Sequence, residues 1–294
     1  MTTRKALKQL ASERRAIVVP GAPNALFARA IEDAGFPVIY VSGAGVANMQ
    51  LGLPDIGLGT VTELVQTVSA IADTVDRPLI VDADTGFGNA MNMYRTVRQL
   101  ERAGASALQI EDQVFPKKCG HFEGKATIPA AEMIEKIKAA LDARQDENLQ
   151  IIARTDARAV EGLDAAIERA QMYQEVGADM TFVEAPRNVD ELGRIARELK
   201  APQVANIVFG GHTPDPGQAA LAEMGFAFTL YANAALQASL LATQTVLGSL
   251  KDHGSLQEVS KLLAGFKQRQ DAVKKPEWDA REALYATKSE GAQK

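Results

Sequence analysis

Eight short apolar runs, each rich in residues that favour β-strands, alternate along the chain with segments of helical periodicity. The runs are IVVPG (17–21), VIYVSG (38–43), LIVDADTG (79–86), ALQIED (107–112), IIARTDA (151–157), FVEAP (182–186), VANIV (204–208) and FAFTLY (226–231). Four glycines upstream of such runs predict left-handed helix ends: Gly35, Gly104, Gly177 and Gly225. Eight βαβ-type units in 294 residues predict an α/β fold, the closed (β/α)8 TIM barrel.

The domain organisation is predicted to be simple, because the chain has no internal repeat, low-complexity segment or evident linker. We predict a single barrel domain over residues 1–294, with C-terminal helices from about residue 232 onward. Two connections are longer than the others, residues 44–60 and residues 113–130. Long connections in a compact barrel are commonly functional, so we expect these two to border a site.

Charge and composition exclude several classes of partner. The net charge of -5 provides no basic stripe for nucleic acid. No apolar run approaches the roughly 20 residues of a membrane span, and the N-terminus lacks the apolar core of a signal peptide. The single cysteine, Cys119, excludes an intrachain disulfide and a cysteine-based zinc site. We therefore predict a cytoplasmic protein with no nucleic-acid or membrane partner.

Polar residues stand at the downstream ends of the predicted strands, where a barrel of this type builds its active site. They are Ser42, Asp82, Asp84, Glu111, Arg154, Glu184, Asn206 and Tyr231. Three of these acids, joined by one from the 44–60 connection, would form an all-oxygen site: Asp82, Asp84, Glu111 and Asp55. Such a site suits Mg²⁺ or Mn²⁺ better than zinc. The alternative is that these acids cap helices or pair with Arg154, but three strand-end carboxylates at one barrel mouth favour the metal.

Two further features concern anions. Arg154 has the planar guanidinium that holds a carboxylate through two hydrogen bonds, or it neutralises Glu184 or Glu111 inside the barrel. The stretch SGAG (42–45) presents backbone N–H groups to an anionic oxygen. GAGVAN resembles a dinucleotide fingerprint, but Asn48 replaces its third glycine and the expected downstream acid is absent. We therefore disfavour NAD.

The stretch KKCGH (117–121) lies in the second long connection and contains the only thiol of the chain. Neighbouring cations increase the thiolate character of a cysteine, and a thiol of near-neutral pKa is a competent proton donor. On a mobile loop, Cys119 would reach a substrate only when the loop closes. The alternative is an incidental cysteine beside a solvated run of charge, and the local sequence leaves both open.

Several stretches, spread over most of the chain, resemble the isocitrate lyase and phosphoenolpyruvate mutase superfamily, in particular its short lyases of 2-methylisocitrate and 2,3-dimethylmalate. They are YVSGAGVANMQLGLPDIGL (40–58), VDADTGFGN (81–89), IEDQVFPKKCGH (110–121), ARTDARAVEGLDAAIERAQMY (153–173), FVEAP (182–186) and ANI (205–207). KKCGH is typical of the lyases and is absent from mutase-type members. The resemblance implies a homotetramer in which neighbouring subunits exchange the last barrel helix.

The resemblance also implies a role for each matching residue. Mg²⁺ would bind directly to Asp82, with Asp55, Asp84 and Glu111 in or near its water shell. The pyruvate-like carboxylate would be held by Ser42, Gly43 and Ala44, and the rest of the substrate by Arg154, Glu184 and Asn206. Cys119 would be the general acid, supported by Lys117, Gly120 and His121. Tyr40 is a candidate acceptor for the proton of the substrate hydroxyl.

These roles predict a Mg²⁺-dependent carbon–carbon lyase that splits a 2-hydroxy di- or tricarboxylate into pyruvate and a second carboxylate. Methylisocitrate lyases of the family carry TEFG after the seventh-strand asparagine, and some have an arginine soon after CGH. This chain has VFGGHTP (208–214) and Phe122 and Glu123 instead, which favours a substrate with fewer carboxylates, such as a dialkylmalate. Two alternatives stay open: an oxaloacetate decarboxylase or hydrolase using the same metal site, and a non-enzymatic carboxylate-binding barrel.

Overall fold

A computed structural model describes residues 1–120, 122 and 124–286 of the chain. Within these residues, eight parallel strands form one sheet in the order β1-β8-β7-β6-β5-β4-β3-β2. The strands are β1 (Ile17–Pro20), β2 (Ile39–Val41), β3 (Leu79–Asp82), β4 (Ala107–Glu111), β5 (Gln150–Thr155), β6 (Met180–Val183), β7 (Gln203–Asn206) and β8 (Phe226–Tyr231). A parallel bridge between Gly21 and Tyr40 joins the two ends of this order. The predicted (β/α)8 barrel is confirmed.

Helices connect the strands and surround the barrel. They are α1 (Thr3–Glu13), α2 (Ala25–Asp33), α3 (Gly43–Val46), α4 (Val61–Ala72), α5 (Ala90–Arg102), α6 (Ala130–Ala143), α7 (Ala157–Val160), α8 (Leu163–Glu175), α9 (Val189–Glu198) and α10 (Gln218–Met224). The four predicted left-handed helix ends are confirmed by positive φ angles at Gly35, Gly104, Gly177 and Gly225. Side-chain caps start several helices; Thr60 and Glu63, for example, form a reciprocal capping box at the start of α4.

The strand register brings polar residues of neighbouring strands side by side at the barrel mouth. Glu111 of β4 pairs with Arg154 of β5, and Asp82 of β3 pairs with Gln109 of β4. All eight strands are buried over most of their length, and apolar side chains fill the space between strands and helices. Because the packed core fixes the strands, the polar side chains at their ends occupy rigid positions.

The two long connections are structured differently. The first is partly helical, because α3 continues into a π-helical turn at Ala47–Leu51. The second, which we call the thiol loop (residues 113–130), returns to its own start: Val114 N–H donates to the Ala126 carbonyl and Ile128 N–H to that of Asp112, both at 2.8 Å. The base of the thiol loop is thus joined to the end of β4.

The chain divides into two compact units, residues 1–238 and residues 239–294. The described part of the second contains the end of α11 (Ala234–His253), a 3₁₀ helix (Gln257–Leu262), α12 (Phe266–Ala272) and α13 (Lys275–Tyr285). C-terminal helices from about residue 232 were predicted, and helices are present there. The interpretation of both units as one domain stays a prediction. No helix in the described residues combines the length and apolarity needed to cross a membrane.

Candidate active site

Four carboxylates occupy the carboxyl ends of β3 and β4 and the connection after β2, and we call them the acid cluster: Asp55, Asp82, Asp84 and Glu111. The Asp82 carboxylate accepts hydrogen bonds from Asp84 N–H at 3.2 Å and from the Gln109 side-chain amide at 3.3 Å. Lys117 of the thiol loop donates from its ammonium to Asp55, and the same nitrogen lies 2.9 Å from Asp84 Oδ1. One lysine therefore lies between two of these acids.

The backbone brings the members of the acid cluster together. Glu111 N–H donates to the Asp84 carbonyl at 2.9 Å. Asp84 lies beyond the end of β3 with a φ of 48°, so a left-handed residue, and not strand alternation, places its side chain beside Lys117. Gly43 N–H donates to Asp82 Oδ2 at 3.3 Å, and a Cβ at Gly43 would lie 3.1 Å from carboxylate oxygens of both Asp82 and Asp84. A glycine therefore lets the backbone of α3 approach these acids closely.

Burial makes ionisation costly for two members of the acid cluster. Burial, opposed by the Lys117 ammonium and reinforced by the Asp82 carboxylate, raises the pKa of Asp84 to about 6. Burial likewise raises the pKa of Glu111, although the Arg154 and Lys117 cations oppose the shift. Burial is the main cause of both shifts, so a cation bound beside these acids would make their ionisation less costly.

The acid cluster fits a hard, hydrated divalent cation. Oε1 of Glu111 is buried and has no hydrogen-bond partner among the described residues. A cavity of about 30 Å³, large enough for a water molecule, is lined by Asp55, Asp82 and Asp84. No group of three or more His, Cys, Asp or Glu side chains in the described part of the chain is arranged to hold a metal ion. Carboxylate oxygens beside a space for water suit Mg²⁺, which commonly keeps several water ligands.

Arg154 connects the acid cluster to the neighbouring strands. Its Nε and Nη2 donate to the two carboxylate oxygens of Asp156, at 2.9 and 3.2 Å. Nε also lies 3.4 Å from Glu111 Oε2, and Nη1 lies 3.6 Å from Glu184 Oε2. The side-chain amide of Asn206 donates to Glu184 at 3.5 Å. Of the two roles that the sequence left open, the structure therefore displays the internal ion pair, and Asp156 is its main partner.

The predicted backbone anion site lies at the start of α3. Ser42 is the N-cap, and its hydroxyl accepts from Gly45 N–H at 3.1 Å and donates toward Asn233 Oδ1 at 3.5 Å. Ala44 follows Gly43 in the first turn of α3. The Gly43 N–H faces the Asp82 carboxylate in this structure. The stretch thus borders the acid cluster on the β2 side.

Tyr40 is buried and forms part of a hydrogen-bonded chain to the acid cluster. Its hydroxyl donates to Gln109 Oε1 at 3.1 Å, and the Gln109 amide donates onward to Asp82. Burial, reinforced by the Asp82 carboxylate, raises the pKa of Tyr40 well above its ordinary value. The phenol therefore keeps its proton and acts here as a donor, which weakens its candidacy as proton acceptor.

The thiol loop crosses the space between the acid cluster and Arg154. Cys119 N–H donates to the Asp55 carbonyl at 3.2 Å. A Cβ at Gly120 would lie 2.5 Å from Arg154 Nη2 and 2.7 Å from Glu184 Cδ, so only a glycine fits there without displacing buried side chains. Cys119 is half-buried between these two contacts. His121 lies outside the described residues.

Sequence reasoning missed three polar residues of this region: Gln109, Lys125 and Asp156. Gln109 precedes Glu111 by two positions and Asp156 follows Arg154 by two, so strand alternation could have indicated both. No local pattern singles out Lys125, which lies on the thiol loop and forms an ion pair with Asp156 at 2.8 Å.

A (β/α)8 barrel whose mouth combines buried acids, an arginine and a loop-borne thiol defines a class of enzyme that acts on small anionic molecules. Within that class, a family model described as phosphoenolpyruvate phosphomutase matches residues 7–251. The chain belongs to this family.

Relatives narrow the class further. The 2-methylisocitrate lyase of Aeropyrum pernix is 43% identical over 284 residues, covering 97% of this chain and 91% of that protein. The 2,3-dimethylmalate lyase of Eubacterium barkeri is 40% identical over 273 residues, covering 93% and 94%. A solved structure of phosphonopyruvate hydrolase with oxalate and Mg²⁺ has a TM-score of 0.88 and 32% identity, covering 97% of this chain and 99% of that one. The chain is an enzyme of the carbon–carbon lyase class.

Proposed function

We propose that the enzyme is a Mg²⁺-dependent lyase that splits a 2-hydroxy di- or tricarboxylate, of the 2,3-dialkylmalate or 2-methylisocitrate type, into pyruvate and a second carboxylate. One observation carries the proposal. Lys117 contacts the acid cluster and Gly120 lies close to Arg154 and Glu184, which supports a place for Cys119, between them in sequence, at the middle of the site.

The metal is the first element of the proposal. Asp82 would hold Mg²⁺ directly, with Asp55, Asp84 and Glu111 in or near its water shell; Mn²⁺ has the same preference for oxygen ligands. When bound, the ion supplies positive charge beside the C2 oxygen and the adjacent carboxylate of the substrate. Burial raises the pKa of Asp84 to about 6, and the Asp82 and Asp55 carboxylates add to the shift. A bound cation would favour the ionised acids at such a site, which supports this assignment.

The groups that surround the acid cluster would orient the substrate. Ser42, Gly43 and Ala44 would bind the pyruvate-like carboxylate through hydroxyl and backbone donors. Arg154 would face the rest of the substrate, because its guanidinium lies between Glu111 and Glu184. Asn206 holds Glu184 and has a buried side-chain oxygen with no hydrogen-bond partner in the described residues.

Proton movements complete the reaction. The C2 hydroxyl loses its proton as the C2–C3 bond breaks, and the electrons of that bond pass to C3. Cys119 then protonates C3, leaving a thiolate that solvent reprotonates after product release. Lys117 and His121 would support that thiolate. Since the Tyr40 phenol keeps its proton, we assign the hydroxyl proton to a carboxylate of the acid cluster, where burial raises the pKa of Glu111.

The part of the substrate beyond C3 would enter a cavity of about 660 Å³ beside the thiol loop. Its lining includes the apolar side chains of Phe122, Val160 and Ala185 and the cationic Arg187; Lys125 also borders it, but its ammonium is already bound to Asp156 and the Gly120 carbonyl. Phe122 and Val160 are 50% and 42% exposed. A wall of this kind suits an alkyl substituent with one carboxylate, and so supports a dialkylmalate over a tricarboxylate.

The substrate class is tested by measuring pyruvate release from a panel of 2-hydroxy di- and tricarboxylates, with Mg²⁺ and with EDTA. We expect Mg²⁺-dependent release from at least one branched member, fastest from a dialkylmalate. Oxaloacetate is assayed beside the panel: pyruvate released from it alone would favour the decarboxylase alternative, and oxalate with acetate would favour the hydrolase, since an oxaloacetate acetylhydrolase shares this fold at a TM-score of 0.91. No turnover of any member, together with retained oxalate binding, would favour a binding barrel.

The proton donor is tested by Cys119→Ser. We expect cleavage to fall by about 10²–10⁴-fold, because general acid catalysis contributes on that scale. Mg²⁺ and oxalate binding, measured by calorimetry, should be unchanged, because the acid cluster and Arg154 are untouched. Turnover close to that of the unmodified enzyme would remove Cys119 from the mechanism and favour the decarboxylase alternative.

We extend the proposal to assembly and location. Large apolar side chains of residues 239–286 are more than half exposed: Leu240, Leu241, Leu247, Leu262, Phe266, Trp278, Leu284 and Tyr285. Exposure on this scale is typical of surfaces that another chain covers. We propose a cytoplasmic homotetramer in which neighbouring subunits exchange the last barrel helix, α11. Sedimentation equilibrium measures the mass directly, and a monomer at micromolar concentration would contradict the tetramer.

A further inference from the structure

Lys125 is a buried cation of the thiol loop that the mechanism above does not use. Its side chain is 2% exposed, and its ammonium donates to the Gly120 carbonyl at 2.5 Å and to Asp156 Oδ1 at 2.8 Å. One acceptor belongs to the thiol loop and the other lies at the end of β5. Lys125 therefore links the segment that contains Cys119 to the barrel through two hydrogen bonds.

Asp156, the barrel residue that Lys125 binds, is held rigidly. The Asp156 carboxylate is fully buried, and both of its oxygens accept hydrogen bonds from Arg154. The Asp156 N–H donates to Asp112 Oδ1 at 2.9 Å, and Asp112 also accepts from the hydroxyls of Thr155 and Tyr173. Several mutually supporting bonds thus hold Asp156 in place before the loop contributes anything.

On the loop, Lys125 binds the residue that follows Cys119. The Lys125 ammonium donates to both Asp156 and the Gly120 carbonyl, and Gly120 lies so close to Arg154 and Glu184 that an added Cβ would clash with them. Cys119 is joined to Gly120 by one peptide bond. A shift of the Gly120 peptide therefore moves the thiol by a comparable distance.

We propose that Lys125 is a positioning residue for the proton donor. It links the Gly120 peptide to the Arg154–Asp156 pair, so that one hydrogen-bonded chain places both the thiol and the arginine that faces the substrate. This inference rests on the proposed function for its catalytic consequence, but the placement of the thiol can be measured without turnover.

The competing explanation is that Lys125 only neutralises a buried carboxylate. Asp156 has two further bonds to Arg154, so we expect its charge to stay compensated when Lys125 is replaced. A purely structural lysine would change stability and leave the placement of the thiol unaltered. A positioning lysine would change the accessibility of the thiol in the folded protein.

The first experiment measures alkylation of Cys119 by iodoacetamide in folded protein, followed by mass spectrometry. Cys119 is the only cysteine, so the reading is unambiguous. We expect Lys125→Met to raise the alkylation rate about fivefold or more, because the loop opens more often. Loss of a nearby cation alone would slow alkylation by lowering the thiolate fraction, so a faster rate reports opening. Lys138→Met, which removes an exposed lysine of α6, should leave the rate unchanged.

The second experiment separates kcat from KM in the cleavage reaction. We expect Lys125→Met to lower kcat by about 10²-fold with KM nearly unchanged, because a misplaced donor slows proton transfer without removing a binding group. Lys125→Arg, which keeps the charge and the donors, should recover most of the activity. Should Lys125→Met fail to fold, Lys125→Gln, which keeps a donor without the charge, is measured in the same way.

The two readouts distinguish failure of this inference from failure of the proposed function. Alkylation of Lys125→Met at the unmodified rate would overturn the positioning role, whatever the enzyme cleaves. Equal falls in kcat for Lys125→Met and Lys138→Met would also overturn it. Faster alkylation in a protein that cleaves no 2-hydroxy acid would support the positioning of the thiol and reject only the proposed reaction.

Discussion

Lys117 and Lys125 are two lysines of one loop that bind carboxylates in opposite electrostatic surroundings. Both side chains are almost fully buried, at 4% and 2% exposure. Lys117 lies between Asp55 and Asp84, two of the four carboxylates of the acid cluster. Lys125 joins Arg154 at the single carboxylate of Asp156, so two cations share one acid.

The pKa values of Asp84 and Asp156 reflect this difference in surroundings. Burial raises the pKa of Asp84 to about 6, since one ammonium does not offset the neighbouring acids. Burial also opposes ionisation of Asp156, but the Arg154 and Lys125 cations outweigh it and lower its pKa to about 2. The acid cluster therefore favours an additional cation, whereas Asp156 is already neutralised and serves as an anchor. The thiol loop thus contacts the acid cluster, which can bind a cation, and Asp156, which holds the loop in place.

The largest effect on stability is expected for Asp156→Asn. The substitution leaves Arg154 and Lys125 buried beside a neutral amide, and breaking a buried ion pair in this way costs about 3–5 kcal/mol. Urea unfolding measures the loss. Asp84→Asn is the matched control, and in EDTA we expect it to change the free energy of unfolding by less than about 1 kcal/mol, because it relieves repulsion while losing Lys117. Equal losses in both variants would contradict the comparison.

A smaller effect, on the order of 2 kcal/mol at each site, is expected in the pH dependence of stability. The pKa of Asp84 is about 6 in the folded protein and 3.8 in the unfolded chain. The stability that protonated Asp84 contributes to the metal-free protein is therefore lost as the pH rises through about 6. Asp156 has a folded pKa of about 2 against 3.8, so its contribution is present above pH 3.8 and is lost as the pH falls toward 2.

Urea unfolding in EDTA, repeated across pH, checks both slopes. Asp84→Asn should flatten the decline in unfolding free energy between about pH 4 and 7, and Asp156→Asn should flatten its rise between about pH 2 and 4. Adding Mg²⁺ near neutral pH should restore stability to the unmodified protein, since a cation bound to the acid cluster stabilises the ionised carboxylates. Slopes of the same sign at the two sites would reject the electrostatic distinction.

The smallest effect on stability, below about 1 kcal/mol, is expected for Gly120→Ala, because the segment is a loop with little apolar burial. Activity should nevertheless fall by about 10²-fold, since the new methyl group would meet Arg154 and Glu184 and displace the thiol. Gly265→Ala is the control, because nothing lies within 4 Å of a Cβ there and its φ of -62° is ordinary for an alanine. Full activity in Gly120→Ala would show that the close approach is not required.

The sequence predicted much of this arrangement through local rules. Strand runs, helix periodicity and left-handed glycines identified all eight strands, and strand-end position selected Asp82, Glu111 and Arg154. These features are visible because each depends on residues within a few positions of one another. The 44–60 connection, by contrast, was expected to be a loop, yet α3 and a π-helical turn occupy part of it.

The pairing of charges could not be predicted in this way. Lys117 is 62 residues from Asp55, and Lys125 is 31 residues from Asp156. No period relates such positions, and a lysine that binds an unbalanced acid cluster looks the same in sequence as one that binds a neutralised carboxylate. The distinction depends on how many acids and cations share each buried site.

The sequence by itself determined the barrel and the polar residues at its mouth, because the chemistry of short stretches specifies strands, helices and their ends. Only the tertiary structure decided which cation faces which acid and which glycine lets the thiol loop approach Arg154 and Glu184. The physical reason is that burial and Coulomb interactions depend on distances through space, and closure of the barrel sets those distances.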